Sequence, residues 1–399
     1  MPTQSRAPER GADVPERTLP SNRSRAAVVP PGASLPTKYA TSHRKNRSGG
    51  IDPDFYERGL SMAAAAATET ALARTLRRSV TIPGYLLGWL VLLAVAPIAL
   101  PLLHLADRFA GMSKSRARLL RFTIVFLSYE LAGLAAAGLL WLAALVSPRF
   151  RGSRSVEAHQ QLQLWWATGL FRAASRILRL SLEVEGADEI GRGPFIVLIR
   201  HASLADSLLP SVVFGVRGIR LRYVLKRELL WDPCLDVVGQ RLPNAFIRRG
   251  SGESAAELAA IASLGRDLEP DEGVLIYPEG TRFTPAKRDR ALERIEASGR
   301  PDLLTRARAL EAVLPPRTAG VVSLLDVAPD ADVLIVAHTG LEGLASASDI
   351  LRLGGSGRRI RVRLWRVPRA AIPETRDARV RWLYNEWTRV DAFVSGRTP

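Results

Sequence analysis

The chain has 399 residues, enough for one large domain with appendages, and a formal net charge of +17 from 56 basic and 39 acidic residues. Its single cysteine, Cys234, excludes an internal disulfide and fits a reducing compartment. Five histidines are scattered along the chain with no cysteine pair beside them, so the sequence predicts no metal site.

Residues 1–60 are rich in Pro, Ser, Arg and Gly and lack any hydrophobic period. Such a composition cannot bury enough apolar surface to fold, so we expect a disordered basic tail. No apolar core followed by a cleavage site is found there, and we therefore do not expect a signal peptide. Since few aromatic residues are present for base stacking, we expect anionic lipid headgroups rather than nucleic acid as the partner of this tail.

Two apolar segments follow, at 82–106 and 122–146, with almost no polar stripe. Each is longer than the run of about 20 helical residues that crosses the hydrocarbon layer of a bilayer. They predict a membrane-embedded helical hairpin over 82–147. Glu130 lies inside the second segment, where a carboxylate is costly in lipid, and we expect it to be a packing or snorkelling group.

The charges around this hairpin leave its orientation open. Arginines flank both outer ends, and Arg and Lys residues also occupy the connecting loop. The positive-inside rule therefore gives no preferred direction. Both a spanning hairpin and one that dips into a single leaflet, with every basic flank near the same surface, agree with this pattern.

The rest of the chain alternates between strand-like and helix-like segments. Residues 159–182 have an amphipathic pattern with Trp and Arg, typical either of a membrane interface or of a helix packed on a sheet. Predicted strands lie at 181–186, 194–199, 221–225, 244–247, 274–277, 333–337 and 360–367. Predicted helices lie at 253–268, 321–327 and 378–394, and 287–299 is a charged helix or loop whose Arg and Glu most simply form a solvated face. This order predicts an α/β fold with a mostly parallel central sheet flanked by helices.

The most informative stretch begins at the end of strand 194–199, where Arg200 and His201 are followed by Asp206 as the pattern turns helical. Open α/β sheets place their chemistry at such strand ends. A carboxylate five residues on can reach one imidazole nitrogen, fix the tautomer and leave the other nitrogen free to accept a proton. The alternative is a polar turn or a helix cap formed by Asp206. A His–Asp pair of this kind has no nucleophile, so the nucleophile would arrive with the substrate.

A second strand end favours the interpretation of His201 and Asp206 as a base and its orienting carboxylate over a polar turn or a helix cap. Strand 274–277 leads into Pro278-Glu279-Gly280-Thr281-Arg282. Gly280 permits a backbone conformation closed to other residues, and the Arg282 guanidinium is a planar fork suited to a phosphate. A base at one strand end and an anion clamp at the other describe a site that deprotonates a hydroxyl on a phosphate-bearing molecule. By contrast, His338 ends a strand without a spaced carboxylate, and we expect it to be structural.

These motifs resemble the glycerolipid acyltransferase family, whose best-known members are 1-acylglycerol-3-phosphate acyltransferases. The His-x4-Asp pair and Pro-Glu-Gly-Thr-Arg occur in the family's order, with an acceptor-binding block at 246–249 between them and a fourth block at 313–320. The resemblance covers roughly residues 160–395. Three positions depart from the family pattern: Arg200 replaces Asn and places a cation beside the base, Pro243 replaces Gly, and Arg248 replaces Asp. These departures concern the acceptor more than the reaction.

The resemblance implies a fold like that of glycerol-3-phosphate acyltransferase for a catalytic domain at 155–399. It implies transfer of a fatty acyl group from acyl-CoA or acyl carrier protein to lysophosphatidic acid, giving phosphatidic acid, without a cofactor. His201 and Asp206 would be the catalytic pair. The residues that would hold the acceptor and its phosphate are Arg249, Glu279, Gly280, Thr281 and Arg282.

Two other functions stay open. One is acyl transfer to a different acceptor, such as glycerol 3-phosphate, another lysophospholipid or a glycolipid. The other is a noncatalytic protein that binds membranes or nucleic acid, for which a His–Asp pair at a strand end has no use. Because activated acyl donors are made in the cytoplasm, we expect the chain at the cell membrane, with the bilayer as a partner and the catalytic domain facing the cytoplasm.

Overall fold

Two long helices come first in the computed structural model of the chain, which describes residues 27–29, 69–110, 115–203, 205–247, 254–342 and 357–397. Helix α1 is Ala71–Phe109 and helix α2 is Ser115–Val146, and they pack against each other. Both are long and apolar enough to cross a membrane by length and composition, and little of either apolar stretch is buried. Two apolar helices therefore lie where the sequence predicts them.

Helix α1 begins well before the apolar segment at 82–106. The Thr70 side chain caps its first turn by accepting a hydrogen bond from Ala73 N at 3.2 Å. One turn later, Arg77 and Arg78 bind the buried carboxylate of Asp236, with the Arg78 Nε–Oδ2 distance at 2.7 Å. The polar first turns of α1 are thus held by the α/β unit, which a local sequence pattern cannot show.

The α/β unit is built on one twisted sheet. Its strands are β1 Ala27–Val29, β2 Leu180–Glu185, β3 Phe195–Ile199, β4 Arg220–Lys226, β5 Ala245–Ile247, β6 Glu272–Ile276, β7 Asp332–Thr339 and β8 Arg358–Val367. Their order across the sheet is β1-β2-β8-β7-β3-β6-β4-β5. In the described part of the chain, only the β1–β2 and β7–β8 pairs are antiparallel. The prediction of a mostly parallel sheet is confirmed.

Helices cover both faces of this sheet. They are α3 Ser153–Leu178, α4 Leu209–Val213, α5 Pro233–Gly239, α6 Ala255–Leu264, α7 Pro285–Ala297, α8 Pro301–Arg308, α9 Thr318–Val327 and α10 Arg376–Ser395. Residues 287–299, left as a helix or a loop by their charge pattern, belong mainly to α7. Helix α8 has no counterpart among the predicted elements, because its short sequence is mostly polar.

Strand β3 lies in the middle of the sheet, between β6 and β7, and all five of its side chains are fully buried. Ile196 and Leu198 pack on the face covered by α6, α9 and α10. Phe195, Val197 and Ile199 pack on the other face, with α3 and α4. This burial on both faces explains why β3 is a continuous apolar run rather than an alternating one.

Helix α3 lies between the sheet and the apolar helices. Its C-terminal half packs on the sheet through Phe171 and Leu178. Nearer its middle, Trp166 Nε1 donates to Glu130 Oε1 of α2 at 2.9 Å. Glu130 is fully buried, and its second oxygen accepts a hydrogen bond from Cys234 N at 3.2 Å. Glu130 is therefore a packing group, and the middle of α2 is in direct contact with the α/β unit.

Strand β1 belongs to the segment 1–60, for which the composition predicts disorder. Residues Ala27–Val29 instead pair antiparallel with β2, where Val28 lies opposite Glu183. The pairing gives hydrogen-bond partners to an edge of β2 that would otherwise be open. The other residues of the predicted tail lie outside the described residues.

Candidate active site

The sheet brings the two predicted strand ends together. Strands β3 and β6 are parallel neighbours, with Leu198 opposite Ile276, so their carboxyl ends lie at the same edge. His201 follows β3 by two residues, and Glu279 follows β6 by three. The two motifs meet because both strands are buried runs in the centre of one parallel sheet.

His201 and Asp206 form a hydrogen-bonded pair. His201 Nδ1 lies 3.1 Å from Asp206 Oδ1 and 3.3 Å from Oδ2. Since a carboxylate only accepts, Nδ1 carries the proton and donates it to Asp206. Oδ2 also accepts hydrogen bonds from Ala202 N at 2.6 Å and Ser203 N at 2.7 Å, and Asp206 is fully buried. These contacts fix the carboxylate and leave His201 Nε2 as an acceptor.

The His201 ring is enclosed but reachable. Its side chain is 12% exposed, and the Tyr277 ring packs against it with centroids 4.6 Å apart. Burial raises the pKa of Tyr277 well above its ordinary value, so this phenol stays neutral. Tyr277 thus restricts the imidazole from one side. It precedes the Pro278–Arg282 turn directly, and its ring contact was not apparent from the sequence.

Glu279 ties the two strand ends to each other. Its Oε1 accepts a hydrogen bond from His201 N at 2.9 Å, and its Oε2 accepts one from Leu314 N at 3.1 Å. The side chain is 3% exposed, and burial raises its pKa to about 7 against the opposing effect of these two hydrogen bonds. The carboxylate thereby positions the backbone of His201 and connects it to the fourth sequence block.

The Gly280 turn is packed against Arg317. Gly280 has φ +64°, the left-handed region that favours glycine, and a Cβ added there would come 2.9 Å from Arg317 Nε. Arg317 N also donates to Pro278 O at 2.8 Å. On the other side of the turn, Lys287 Nζ donates to Thr281 Oγ1 and to Arg282 O, both at 3.1 Å. Arg317 of the fourth block and Lys287 of the first turn of α7 therefore brace this turn.

The structure corrects the expectation that Arg200 places a cation beside the base. The Arg200 side chain is buried, and its Nη1 is ion-paired with Glu342 and donates to His338 O at 2.7 Å. Its positive charge is neutralised behind the strand end. The Arg200 guanidinium is therefore held by contacts within the protein.

His338 is buried beneath the His201–Asp206 pair. Its Nε2 lies 2.9 Å from Arg200 O and 3.9 Å from Asp206 Oδ2. Because a carbonyl oxygen only accepts, Nε2 carries the proton, and burial lowers the pKa of this imidazole so that it stays neutral. Its hydrogen bond holds the Arg200 backbone next to His201. The sequence pattern alone did not show that His338 lies near Asp206.

A buried carboxylate of α10 supports the fourth block. Asp391 Oδ1 accepts hydrogen bonds from the backbone N–H groups of Glu311, Ala312 and Val313, at 2.9, 2.7 and 3.1 Å. Arg397 pairs with the same carboxylate. Helix α10 thus holds the loop in which Leu314 N donates a hydrogen bond to Glu279. Sequence reasoning missed this role, although an Asp within the apolar pattern of α10 was the available signal.

The structure describes only one of the two predicted phosphate-binding arginines. Arg282 is half-buried in the turn between β6 and α7, at the edge of the sheet that carries His201. Arg249 lies outside the described residues, as do the neighbouring residues 248 and 250–253. Among the residues that the structure describes, no group of three or more His, Cys, Asp or Glu side chains is placed to hold a metal ion.

Comparison with known proteins places this geometry in context. Residues 181–336 match a family model described as Acyltransferase, and this span contains His201, Asp206 and residues 279–282. No curated protein matches the chain. Among solved structures, the chain is similar to the crystal structure of the 1-acyl-sn-glycerophosphate (LPA) acyltransferase PlsC from Thermotoga maritima. That match has 17% sequence identity and a TM-score of 0.43, and covers 68% of this chain and 96% of the other.

Proposed function

We propose that the protein makes phosphatidic acid from lysophosphatidic acid, on the premise that residues 181–336 match a family model described as Acyltransferase. A fatty acyl group passes from the thioester of acyl-CoA or acyl carrier protein to the free hydroxyl of the acceptor. The observation that carries the proposal is the His201–Asp206 pair at a strand end, in which Nδ1 lies against the carboxylate and Nε2 has no hydrogen-bond partner among the described residues. A purely binding protein has no need of such a nitrogen.

The proposed chemistry uses His201 as the general base. Nε2 takes the proton of the acceptor hydroxyl as its oxygen attacks the thioester carbon. The new C–O bond forms, the C–S bond breaks, and the departing sulfur receives the proton from the imidazolium, giving an ester and a free thiol. Asp206 stabilises the positive charge that develops on the ring. Glu279 keeps the backbone of His201 in place during these steps.

The acceptor's phosphate is assigned to the Pro278–Arg282 turn. Arg282 would bind it by paired N–H donors, with Arg249 in support, since guanidinium groups match phosphate oxygens in pairs. Gly280 and Thr281 shape the backbone of this clamp. The proposal is supported by the position of the turn, which shares a sheet edge with His201.

The apolar helices are proposed to hold the enzyme at the cell membrane, with the catalytic domain facing the cytoplasm. Exposed large apolar side chains follow α1 along most of its length. The contact of Glu130 with Trp166 and Cys234 lies in the middle of α2, so this helix cannot be surrounded by lipid there. This favours a hairpin that dips into one leaflet over one that spans the bilayer.

A salt wash tests this attachment. Membranes containing the protein should retain it in the pellet through high salt and release it only to detergent, because apolar insertion is not screened by ions. A basic tail binding lipid headgroups alone would be washed off, and that result would contradict insertion of the hairpin.

An acceptor panel tests the proposed reaction. Purified protein in detergent receives one labelled acyl-CoA and, separately, lysophosphatidic acid, glycerol 3-phosphate, lysophosphatidylcholine or no acceptor. We expect thiol release and labelled phosphatidic acid with lysophosphatidic acid, and neither without an acceptor. Faster transfer to another acceptor would replace the acceptor assigned here, and no transfer to any acceptor from either CoA or carrier-protein donors would contradict the enzyme function.

A further inference from the structure

A cavity of about 480 Å³ opens beside the Pro278–Arg282 turn, between α7 and the fourth block. Four of its lining residues are cations, which we name the cation pocket: Lys287, Arg290, Arg294 and Arg317. The remaining lining residues are Glu279, Thr281, Ala291, Glu293, Leu314 and Pro315. Positively charged side chains therefore outnumber the acidic ones in a concave space next to the proposed base.

Two of the three guanidinium groups of this pocket have no side-chain partner among the residues that the structure describes. They belong to Arg317, which is half-buried, and to Arg290, which is exposed. The buried arginines elsewhere differ: Arg222 is paired with Glu272 at 2.5 Å, and Arg379 with Asp326 at 2.6 Å. A partly desolvated guanidinium without a carboxylate is suited to bind an anion that comes with a ligand.

The cations form a row rather than a single point. Lys287, Arg290 and Arg294 have i, i+3, i+7 spacing and lie along one face of α7. At 1.5 Å per residue this row is about 10 Å long. Ala291 lies within the same face and leaves space between the long side chains. A row of this length fits a ligand with several phosphate groups better than one with a single phosphate.

The pocket is joined to the reacting group. Glu279 lines it and accepts the hydrogen bond of His201 N at 2.9 Å. The Arg317 side chain lies across Gly280, and its backbone N is bonded to Pro278 O. A ligand bound in the pocket would therefore reach the base from the α7 side of the turn, leaving Arg282 for the acceptor.

We propose that the cation pocket binds the phosphate groups of coenzyme A, so that the donor is acyl-CoA rather than acyl carrier protein. This inference rests on the proposed function. Coenzyme A carries a diphosphate and a further phosphate on its ribose, separated from the thioester by a flexible pantetheine arm. It supplies the several anions that the row can accept, whereas the lysophosphatidic acid acceptor and the carrier protein's prosthetic group each supply one.

The test compares donors that carry the same thioester with and without the phosphate-bearing adenosine part of coenzyme A. The variants are Arg317→Ala and the double variant Arg290→Ala/Arg294→Ala, with Arg308→Ala as the matched control, because Arg308 is an exposed arginine of α8 outside the pocket. Each protein is assayed with acyl-CoA and with the same acyl group on pantetheine, which has no phosphate. The ratio of kcat/KM for acyl-CoA to that for acyl-pantetheine should fall about tenfold or more in both pocket variants and stay unchanged in the control.

Direct binding separates this inference from the proposed function. Titration calorimetry with free coenzyme A needs no turnover, and affinity should fall about tenfold or more in the pocket variants relative to the wild type and the control. If coenzyme A binds in this way but no acyl transfer occurs, the subsite stands and the proposed function fails. The inference is overturned if the donor ratio is unchanged, if the variants raise only the KM of lysophosphatidic acid, or if the wild type uses acyl carrier protein and not acyl-CoA.

Discussion

The two sides of the candidate site differ in how their charged groups are satisfied. On the side of β3, Asp206 accepts hydrogen bonds from His201 and from two backbone N–H groups, and it is fully buried. On the side of α7, the cation pocket is open, and the described residues give the guanidinium groups of Arg290 and Arg317 no partner. Internal contacts thus fix the His201–Asp206 pair, whereas the guanidinium groups of Arg290 and Arg317 have no such contacts within the described residues.

Glu279 connects these two sides. It accepts a hydrogen bond from His201 N and lines the cation pocket. A change on either side should therefore be distinguishable by whether it alters the rate of the chemical step or the affinity for a substrate.

Replacing His201, the proposed base, should slow the chemical step. We expect His201→Ala to lower kcat by about 10²–10⁴-fold, because no other group takes the hydroxyl proton. Thiol release from acyl-CoA with acceptor present measures this loss. Membrane retention and the thermal unfolding midpoint should stay close to those of the wild type, and undiminished turnover would remove His201 from the mechanism.

Replacing the proposed acceptor clamp should act on affinity. We expect Arg282→Ala to raise the KM for lysophosphatidic acid about tenfold or more, since a charged hydrogen bond to phosphate is lost, and to change the donor KM much less. Steady-state kinetics with each substrate varied in turn separates the two constants. Equal increases in both would show that Arg282 does not act on the acceptor alone.

The contribution of the Glu279 carboxyl to the stability of the folded chain should depend on pH. Burial raises the pKa of Glu279 from 4.5 to about 7, so between these values the folded chain binds more protons than the unfolded chain. The contribution of Glu279 to stability therefore falls as pH rises through this window and is constant above it. Glu279→Gln lacks this titration.

Thermal unfolding midpoints, followed from below pH 4.5 to above pH 7, test this expectation. The wild-type midpoint should fall relative to that of Glu279→Gln across the window, because all other titrating groups are shared by the two proteins. Parallel curves would mean that the folded environment does not raise the pKa of this carboxyl.

The central sheet could be predicted from the sequence because its strands are buried on both faces. The apolar runs of β3 and β6 end at His201 and at the Pro278–Arg282 turn, and the parallel arrangement puts both ends at one edge. The match of residues 181–336 to an acyltransferase model agrees with the family resemblance of these motifs. Local patterns were sufficient here, because burial and strand direction determine where the motifs meet.

The parts that could not be predicted depend on contacts between distant residues. Arg200 is neutralised by Glu342, and His338 lies beneath Asp206 because β7 is the neighbour of β3. Strand order across a sheet is not encoded in the periodicity of any one strand. Likewise, the charge pattern at 287–299 suggested a solvated face, and only the packing of α7 beside Arg317 shows that part of this face lines a cavity.

The proposed mechanism depends above all on which nitrogen of the His201 ring carries a proton. Nitrogen-15 NMR of histidine-labelled protein, with the His201 signals assigned by their absence in His201→Ala, reports which ring nitrogen carries the proton. The proposed mechanism requires a proton on Nδ1, which donates a hydrogen bond to Asp206, and no proton on Nε2. A neutral ring protonated at Nε2 would contradict it, because the nitrogen that faces the substrate would then be unable to accept a proton.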